Sequence, residues 1–571
     1  MVPGVVHGAH VDREPVDQAP EVRKDRYCST TVASEEASVR TDDWFLTNAE
    51  RGNPMYQLPA WSAGNSVVPR IHGVAYFAHL VREVSALEAD DHLFFTDWRG
   101  DADERLQPEG PTVGGLFGDA AKRGVIVKGL VWRSHHEKMS YSEEQNRHLG
   151  DDVSEAGGEV LLDQRVRRAG SHHQKLVVIR HPRRPDDDVA FAGGVDLCHS
   201  RRDDAEHHGD QQTVPMSKEY GDRPPWHDAQ LELRGPVVGL LDAVFRERWT
   251  DPRSLDTDNP VSYLKDRIRH VDLTADPLPE QPPDPQPAGS CTVQVLRTYP
   301  AIRPKTTYAP RGERSVARAY GKAFRRARRL IYLEDQYMWS PHIARLLADA
   351  LRDNPELHLV VVVPRYPDVD GRFALPPNEV GRMEAIEVTR KAAPDRVHVF
   401  DLENHAGNPV YVHAKVCVID DVWACVGSAN LNRRSWSHDS ELSCAVLDDT
   451  PDEREPRDPA GLGDGARRFA RDLRLTLLRE HLDRAPDGSD DVTDDGDLAD
   501  PDATVRAVNA AADALDAWHD GGRVGPRPPG RLRPHRPEKL PLLTRLWAVP
   551  AYRVVYDPDG RSVRDRLRRR W

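Results

Sequence analysis

The chain has 571 residues, and 79 Lys and Arg against 93 Asp and Glu give it a formal net charge of −14. Apolar residues make up 38% of the chain, which is enough for a sizeable core. No segment approaches the ~18 uninterrupted apolar residues of a membrane-spanning helix, and no apolar signal segment follows Met1, which predicts a cytoplasmic or peripheral membrane protein. The six cysteines lie far apart and suggest neither a disulfide framework nor a zinc site, and the acidic charge argues against a protein that coats nucleic acid.

Composition divides the chain into predicted ordered and connecting segments. Residues 1–45 mix charges with few large apolar side chains and are expected to form a poorly ordered arm. A Pro-rich stretch within 272–290 predicts a linker between a first half, 46–271, and a second half, 291–485. Residues 486–571 are predicted to form an acidic linker, with eight Asp between 486 and 502, and then a basic C-terminal tail.

The two halves repeat the same order of predicted elements. In the first half the apolar pattern predicts a helix over 73–89 and strands over Leu93–Trp98, Val125–Trp132 and Glu159–Leu162. In the second half it predicts helices over Ser315–Arg329 and His342–Leu351 and strands over Ile331–Leu333, Leu357–Val363 and Val397–Leu402. Equivalent strands are offset by 232 to 237 residues. Alternating helices and strands therefore predict a duplicated α/β fold, with a largely parallel sheet in each half.

Each half also carries the same polar pattern before a short apolar strand. The first copy holds His173 and Lys175, and the second holds His413 and Lys415. Residues i and i+2 of a strand share a face, so each His points the same way as its Lys. Such groups at the mouth of a buried strand are costly unless an anion meets them. The two histidines lie 240 residues apart, in step with the repeat, which favours a functional role for both pairs over ordinary strand-edge histidines.

The doubled motif resembles that of the phospholipase D superfamily, whose pattern is His-x-Lys-x4-Asp. The second copy matches in full with His413, Lys415 and Asp420, and Gly427-Ser428-Ala429-Asn430 follows it. Five other segments are similar to the phospholipase D branch of bacterial type: Phe94–Arg99, Pro225–Asp228, Phe245–Trp249, Ile331–Tyr337 and Leu473–Leu482. The resemblance covers about 70–485 and implies two similar α/β halves in a duplicated sandwich, with the active site at their interface.

The first copy departs from the family pattern after its strand. Arg180 stands where the motif has Asp, and a longer hairpin follows, with three acidic residues at Asp186, Asp187 and Asp188. We expect these Asp residues, or the turn itself, to take over a structural role of the missing carboxylate. The alternative is a damaged, inactive half-site.

The resemblance implies roles for the motif residues. By analogy with the bacterial enzymes, His173 is expected to be the nucleophile that forms a phosphohistidine, and His413 the general acid, although the near-symmetric repeat leaves the reverse order open. Lys175 and Lys415 would stabilise the charge on the phosphoryl oxygens. Asp420 completes the motif and is expected to be among the catalytic residues. No cofactor and no metal-ligand cluster are expected, since two Lys and a protonated His can supply the positive charge.

Other residues are expected to support the two histidines or to bind substrate. A carboxylate should fix the tautomer of each histidine, and Glu441 in the second half and Asp203 in the first half are the candidates, with ordinary solvated charges as the alternative. The candidates for contact with the phosphate or the rest of the substrate are Asp196, Ser428, Asn430, Gln336, Trp98 and Trp226. For the two Trp residues, simple packing is the alternative.

The function implied is hydrolysis of phosphatidylcholine-like lipids to phosphatidate and a free alcohol at a membrane or micelle surface, with transfer to added alcohols. The alternatives are a phosphatidyltransferase of the cardiolipin or phosphatidylserine synthase type, a nuclease, and a non-catalytic lipid-binding paralogue. A phospholipid, and not a nucleic acid, is the expected partner. The basic tail, with Leu540, Leu542, Leu543, Leu546 and Trp547, either contacts an anionic membrane or folds back on the acidic body.

Overall fold

The computed structural model describes residues 39–134, 143–255, 274–371, 374–485, 496–537, 540–568 and 571. Residues 1–38 of the predicted arm and 486–495 of the predicted acidic linker lie outside these ranges. In the first half the strands are β1 Ser62–Ile71, β2 His92–Asp97, β3 Ile126–Trp132, β4 Glu159–Asp163, β5 Leu176–Arg180, β6 Val189–Gly193, β7 Trp226–His227 and β8 Ala229–Arg234. The strands that follow are β9 Cys291–Tyr299, β10 Glu313–Arg314, β11 Leu330–Asp335, β12 His358–Val362, β13 Val397–Glu403, β14 Pro409–Val412, β15 Lys415–Ile419, β16 Trp423–Gly427, β17 Glu441–Asp448 and β18 Leu532–Pro534.

The α-helices are identified by their residue ranges. Those up to the middle of the chain are Thr41–Trp44, Asn48–Arg51, Gly73–Ser85, Val113–Lys122, Glu143–Glu155 and Val237–Trp249. Those of the second half are Ser315–Arg326, Pro341–Asp353, Leu375–Ala392, Arg433–Ser437 and Arg468–His481. The C-terminal ones are Gly496–Ala499, Pro501–Asp520, Leu542–Ala551 and Val563–Leu567.

The two halves contain sheets of the same topology. The first sheet has the order β1-β8-β6-β5-β2-β3-β4. The second has the order β9-β17-β16-β15-β11-β12-β13. Strands β5 and β15, which follow the two motifs, occupy the middle position of their sheets. The predicted duplicated α/β fold is therefore confirmed.

The prediction of largely parallel sheets is wrong. Within the two seven-strand orders, as far as the structure describes them, the parallel pairs are β2–β3 and β3–β4 and their counterparts β11–β12 and β12–β13, and the other pairs are antiparallel. Between these strands the chain crosses over through a helix, as parallel neighbours require. Strands β5 and β6 are joined by an eight-residue hairpin loop, and β15 and β16 by a three-residue turn, so each pair is antiparallel.

One hydrophobic core lies between the two sheets and takes side chains from both. Phe94 and Val178 of the first sheet belong to the same cluster as Val416 and Val418 of the second, together with apolar residues of the helices Val237–Trp249 and Arg468–His481. The alternate residues of the same strands pack on the outer faces in two separate clusters. Because side chains alternate along a strand, every strand in the middle of a sheet is buried on both faces.

The segments around the two halves are packed against them. Trp44 and Phe45, in the predicted arm, join the outer core of the second half, and the carbonyls of Pro282 and Pro283, in the predicted linker, accept hydrogen bonds from Arg180. In the tail, β18 pairs with β13. This strand of the tail thus folds back on the body, one of the two expected alternatives, whereas Leu542, Leu543 and Leu546 remain exposed. Among the described residues, no helix has both the length and the hydropathy to cross a bilayer.

Candidate active site

The two His and Lys pairs lie at corresponding ends of the central strands. His173 and Lys175 directly precede β5, while His413 precedes β15 and Lys415 begins it. Both lysines and His413 are buried, and His173 is 15% exposed at its side chain. The charge of Lys175 contributes to lowering the pKa of His413, so the two motifs lie within electrostatic range of each other.

The histidines are held by carboxylates of the opposite half. His173 Nδ1 lies 2.9 Å from Oε2 of Glu441, and His413 Nδ1 lies 2.6 Å from Oδ2 of Asp228. Glu441 begins β17, and Asp228 directly precedes the equivalent strand β8. With Nδ1 directed at a carboxylate, each imidazole has Nε2 left for chemistry. Each of the two motif histidines therefore has its carboxylate partner in the opposite half.

Asp203 does not have the position expected of it. Its side chain accepts hydrogen bonds from the backbone N–H of Trp226 at 2.8 Å and of Gly209 at 3.1 Å, and so fixes the loop before β7. Asp228 takes the place behind His413 instead. The sequence concealed this because far more residues separate Gly194 from Asp228 than separate Gly427 from Glu441. The repeat of β8 and β17 as strands was the signal that could have identified Asp228.

The two lysines are held in place by the backbone and by neighbouring side chains. Lys175 Nζ lies 3.0 Å from Asp196 Oδ1 and donates a hydrogen bond to the His173 carbonyl at 3.2 Å. Lys415 Nζ donates to the His413 carbonyl and, at 3.3 Å, to Gln336 Oε1. Burial lowers the pKa of Lys415 to about 8; the carboxylate of Asp228 opposes this shift and the charge of Lys175 reinforces it.

Two tryptophans lie beside the histidines. The Trp226 and His413 ring centroids are 4.9 Å apart, and those of Trp98 and His173 are 6.1 Å apart. The guanidinium of Arg201 lies over the Trp226 ring, 3.9 Å from its centroid, and contacts Asp196 at 3.2 Å. Arg201 is a further buried cation near the site that sequence reasoning missed, since a single Arg outside the motif gives no pattern.

The remaining polar candidates differ in their contacts. Ser428 donates a hydrogen bond to Glu441 at 2.6 Å and so orients the partner of His173. Gln336 donates to the Tyr411 hydroxyl at 2.7 Å while accepting from Lys415. Asn430 is buried, and within the described structure its Oδ1 has no hydrogen-bond partner. Ser428 and Gln336 are thus placed to position other groups.

Asp420 directly follows the far end of β15 from His413, so the two residues are separated by more than the length of this five-residue strand, roughly 15 Å. Its carboxylate accepts hydrogen bonds from the backbone N–H groups of Arg328, Arg329 and Leu330, at 2.7 to 2.8 Å. Burial raises the pKa of Asp420 to about 6, while these hydrogen bonds oppose the shift. This position fixes the start of β11 and is outside the group around the two histidines.

Arg180 fills the equivalent position in the first half with a different structure. It pairs with Asp188 at 2.6 Å and with Asp242 at 3.0 Å, and Asp188 also accepts the His181 N–H at 2.6 Å. One of the three hairpin Asp residues therefore does take part in the replacement. His173, at the other end of β5, keeps its carboxylate partner.

A group of buried histidines lies behind Asp228, although no metal-ligand cluster was expected from the sequence. His72, His207, His227 and Glu480 place one potential ligand atom each within 4.8 Å of one another. The four residues are distant in the sequence and come from four different segments, so no short spacing reveals them. The backbone carbonyl of His227 accepts a hydrogen bond from the His413 N–H at 2.8 Å, which links this group to the site.

Comparison with known proteins gives related matches along most of the chain. A family model described as phospholipase D matches residues 101–360, and one described as cardiolipin synthase, PLD-like domain, matches 323–453. Phospholipase D alpha 1 of Ricinus communis is 25% identical over 496 residues, which are 66% of this chain and 59% of that protein. Phospholipase D alpha 2 of Oryza sativa subsp. japonica is 28% identical over 498 residues, with the same shares.

Two more distant proteins also match. Phospholipase D1 of Schizosaccharomyces pombe is 26% identical over 391 residues, 55% of this chain and 27% of that protein. The crystal structure of phosphatidylserine synthase from Haemophilus influenzae Rd KW20 aligns with a TM-score of 0.47 at 13% identity, over 68% of this chain and 84% of that chain.

This chain spans 59% of the length of the plant relatives it matches. The narrower likeness to the bacterial branch stays a prediction. The repeated sheet topology carries one His and Lys pair on the central strand of each half, and the two family matches together extend over both motifs. The chain belongs to the phospholipase D superfamily.

Proposed function

We propose that the protein is a phospholipase D, which cleaves phosphatidylcholine-like lipids to phosphatidate and a free alcohol. The crossed pairs, His173 with Glu441 and His413 with Asp228, are the observation that carries the proposal. They support one site in which two oriented imidazoles and two buried lysines surround a phosphodiester. The curated relatives named phospholipase D agree with this chemistry.

In the proposed first step, Nε2 of His173 attacks phosphorus, and the bond from phosphorus to the head-group oxygen breaks. His413 donates its Nε2 proton to that oxygen, so the head group leaves as an alcohol. Lys175 and Lys415 stabilise the negative charge that builds up on the phosphoryl oxygens. In the second step water gives a proton to His413 and its oxygen to phosphorus, the P–N bond breaks, and phosphatidate is released.

The opposite assignment of the two histidines is a second candidate. Burial, with Lys415 and Arg201 next in importance, lowers the pKa of His413 well below its ordinary range, which favours a neutral His413 in the substrate-free protein. A neutral imidazole is the form that attacks phosphorus, whereas a general acid must carry a proton. Peptide mass spectrometry after a rapid quench in alkaline denaturant, which preserves the acid-labile P–N bond, distinguishes the two orders, since the phosphatidyl adduct is carried by only one of the histidines.

The proposed chemistry needs no metal ion at the phosphate. We therefore expect activity to survive a chelator added to the assay, because lysine and histidine supply the positive charge at the reacting atoms. Complete and immediate loss of turnover on addition of EDTA would contradict this part of the proposal.

The match to the cardiolipin synthase domain favours phosphatidyl transfer to another lipid as the second candidate activity. A covalent intermediate is resolved by whichever hydroxyl reaches it, so hydrolase and transferase differ in the acceptor. The test is incubation of the purified chain with phosphatidylcholine and ethanol. Phosphatidylethanol is the expected product and would exclude a nuclease or a non-catalytic binding protein; cardiolipin from phosphatidylglycerol alone, with no choline release, would favour the synthase.

The lipid substrate implies contact with a membrane or micelle surface, and the tail offers a surface for it. On the helix Leu542–Ala551, Leu542, Leu543 and Leu546 are 67 to 78% exposed, although neighbouring parts of the tail pack on the body. The same segment carries Arg545, and Arg553 follows it. Exposed leucines with basic residues are typical of peripheral attachment to anionic lipid.

A further inference from the structure

Four side chains from separate parts of the chain converge behind the candidate active site. His72 lies between β1 and the helix Gly73–Ser85, His207 in the loop after β6, His227 on β7, and Glu480 on the helix Arg468–His481. All three histidines are buried, and the side chain of Glu480 is 11% exposed. Three elements of the first half and one of the second thus meet at a single polar point inside the protein.

The spacing of the ligand atoms fits a small metal ion. Oε1 of Glu480 lies 3.1 Å from His207 Nε2 and 3.3 Å from His227 Nδ1, and Oε2 lies 2.7 Å from His72 Nε2. One ligand atom from each of the four residues lies within 4.8 Å of the others. Ligand atoms about 2 Å from a tetrahedral zinc ion are separated from one another by roughly 3.3 Å. Three imidazole nitrogens and one carboxylate oxygen form a donor set that suits zinc.

Outer partners complete the pattern of a metal-binding histidine. The other ring nitrogen of His227, Nε2, lies 2.7 Å from Glu334, within hydrogen-bond distance. Histidines that bind metals commonly donate their second N–H to a carboxylate in this way, which fixes the tautomer and leaves the first nitrogen free for the metal. The other ring nitrogen of His207, Nδ1, faces Asp203 at 3.7 Å, an ion-pair distance that is too long for a hydrogen bond. His227 Nδ1, the atom directed at Glu480, forms no hydrogen bond in the described structure.

Charge supports the same assignment. Glu480, Glu334 and Asp203 place three carboxylates around these histidines in the interior, where negative charge is expensive unless protonated imidazoles or a bound cation balance it. A divalent cation would offset two of these charges at the centre of the group. Glu334 is the less suitable ligand, because its oxygens already contact His227, His481 and the Tyr332 hydroxyl at 2.5 to 2.8 Å.

We propose that His72, His207, His227 and Glu480 form a structural site for a divalent transition-metal ion of the zinc class. The ion ties the two halves together and holds β7, from which Asp228 reaches His413. The His227 carbonyl accepts the N–H groups of His413 and Ala414 at 2.8 and 3.2 Å, so the site fixes the strand ends on which the candidate active site depends. The ion takes no part in the reaction, and the proposal does not rest on the proposed function.

The direct test is the metal content of the purified full-length chain, measured by inductively coupled plasma mass spectrometry after dialysis against metal-free buffer. We expect about one zinc-class ion per chain in the wild type, and a large loss in His207→Ala and Glu480→Gln. His398→Ala is the matched control, because His398 is another partly buried histidine that contacts His358 and Asn509 and lies outside the cluster. It should keep the metal.

Cobalt(II) substitution provides a readout that does not depend on the alanine variants folding. The wild type should take up Co²⁺ with the intense visible absorption of a four-coordinate site. His207→Cys, which keeps a ligand, should bind Co²⁺ and add a thiolate-to-cobalt charge-transfer band in the near ultraviolet. The proposal would be overturned if the wild-type chain shows neither bound metal nor Co²⁺ absorption. It would also be overturned if His207→Ala and His398→Ala have equal metal content. In either case the four residues form a hydrogen-bonded network only.

Discussion

At the scale of single residues, the crossed carboxylates are the most testable feature. Glu441 orients His173 from the opposite half, and Asp228 does the same for His413. We predict that Glu441→Gln and Asp228→Asn each lower kcat by about 10- to 100-fold, because an amide no longer favours the required tautomer and charge. Hydrolysis of phosphatidylcholine under saturating substrate measures the effect.

The control for this pair is Asp251→Asn. Asp251 is also a buried carboxylate, but it contacts Arg253 at 2.9 Å within its own loop and not the histidines. Its kcat should remain within about twofold of the wild type. Equal losses in the control and in the crossed pair would show that the effect comes from general damage to the fold.

Lys415 gives the proposed activity an upper pH limit. Burial lowers its pKa to about 8, so the ammonium is charged below that pH and neutral above it. We predict that kcat/KM falls as the pH rises through about 8, because a neutral amine no longer stabilises the phosphoryl oxygens. Lys415→Arg, which stays charged, should lose this descending limb; the same limb in the variant would assign it to another group.

The sequence predicted individual residues where they formed a pattern. His173, Lys175, His413 and Lys415 were found because they repeat in register on two strands. Asp228 was missed because a long insertion before it broke the alignment with Glu441. The cluster of His72, His207, His227 and Glu480 was missed because only the folded chain brings its four segments together.

At the scale of elements, the end of β5 differs most from the family pattern. Arg180 is buried between Asp188 and Asp242, whereas Asp420 in the other half caps backbone N–H groups. We predict that Arg180→Ala lowers the free energy of unfolding by about 3 kcal/mol, because buried Asp188 loses its arginine partner and buried Asp242 keeps only Arg246. The activity of the remaining folded protein should be nearly unchanged, since the site lies at the other end of the strand.

Urea unfolding and active-site-normalised turnover measure these two effects separately. Arg184→Ala is the matched control: the Arg184 side chain is 40% exposed and its ion pair with Asp91 lies in the same hairpin region. Its cost should stay below about 1 kcal/mol. A loss of turnover in Arg180→Ala that exceeds the loss of folded protein would favour the alternative in which this region affects the half-site directly.

Element types followed from local patterns, whereas their pairing did not. Apolar runs such as Leu93–Trp98 correspond to observed strands because a strand buried on both faces has a continuous apolar sequence. Whether two neighbouring strands run parallel or antiparallel depended on the connection between them, a helical crossover or a hairpin. Trp44 and Phe45, in the predicted arm, are buried because a contact with a distant part of the chain decides their state and no local pattern announces it.

At the scale of the whole molecule, membrane binding by the tail can be tested directly. We predict that replacing Leu542, Leu543 and Leu546 together by Ser lowers sedimentation with anionic vesicles by on the order of tenfold, because the apolar surface that enters the interface is lost. Substitution is preferable to truncation, since Asp557 of the tail contacts Arg433 of the body at 2.9 Å.

Val524→Ser is the control for this prediction, because Val524 is 82% exposed and lies outside the helix Leu542–Ala551. It should leave vesicle binding unchanged. If the triple variant binds vesicles as well as the wild type does, these leucines do not attach the protein to a membrane, and the tail serves only to contact the body.

The repeat in the sequence was sufficient to predict a duplicated fold, since equivalent strands and the two motifs are separated by nearly the same number of residues. It did not predict that the carboxylates are exchanged between the halves. That exchange arises because β8 and β17 lie beside the central hairpins in a shared, two-sheet core. We therefore propose that both halves of one chain build a single phosphodiester-cleaving site.

The most direct test of this claim measures phosphatidylethanol formed from phosphatidylcholine and ethanol by the wild type, His173→Ala, His413→Ala and an equimolar mixture of the two variants. We predict product from the wild type, loss of at least about 10³-fold in each variant, and no recovery in the mixture, because each chain needs both histidines. Substantial turnover by either single variant, or no product from the wild type, would contradict the account.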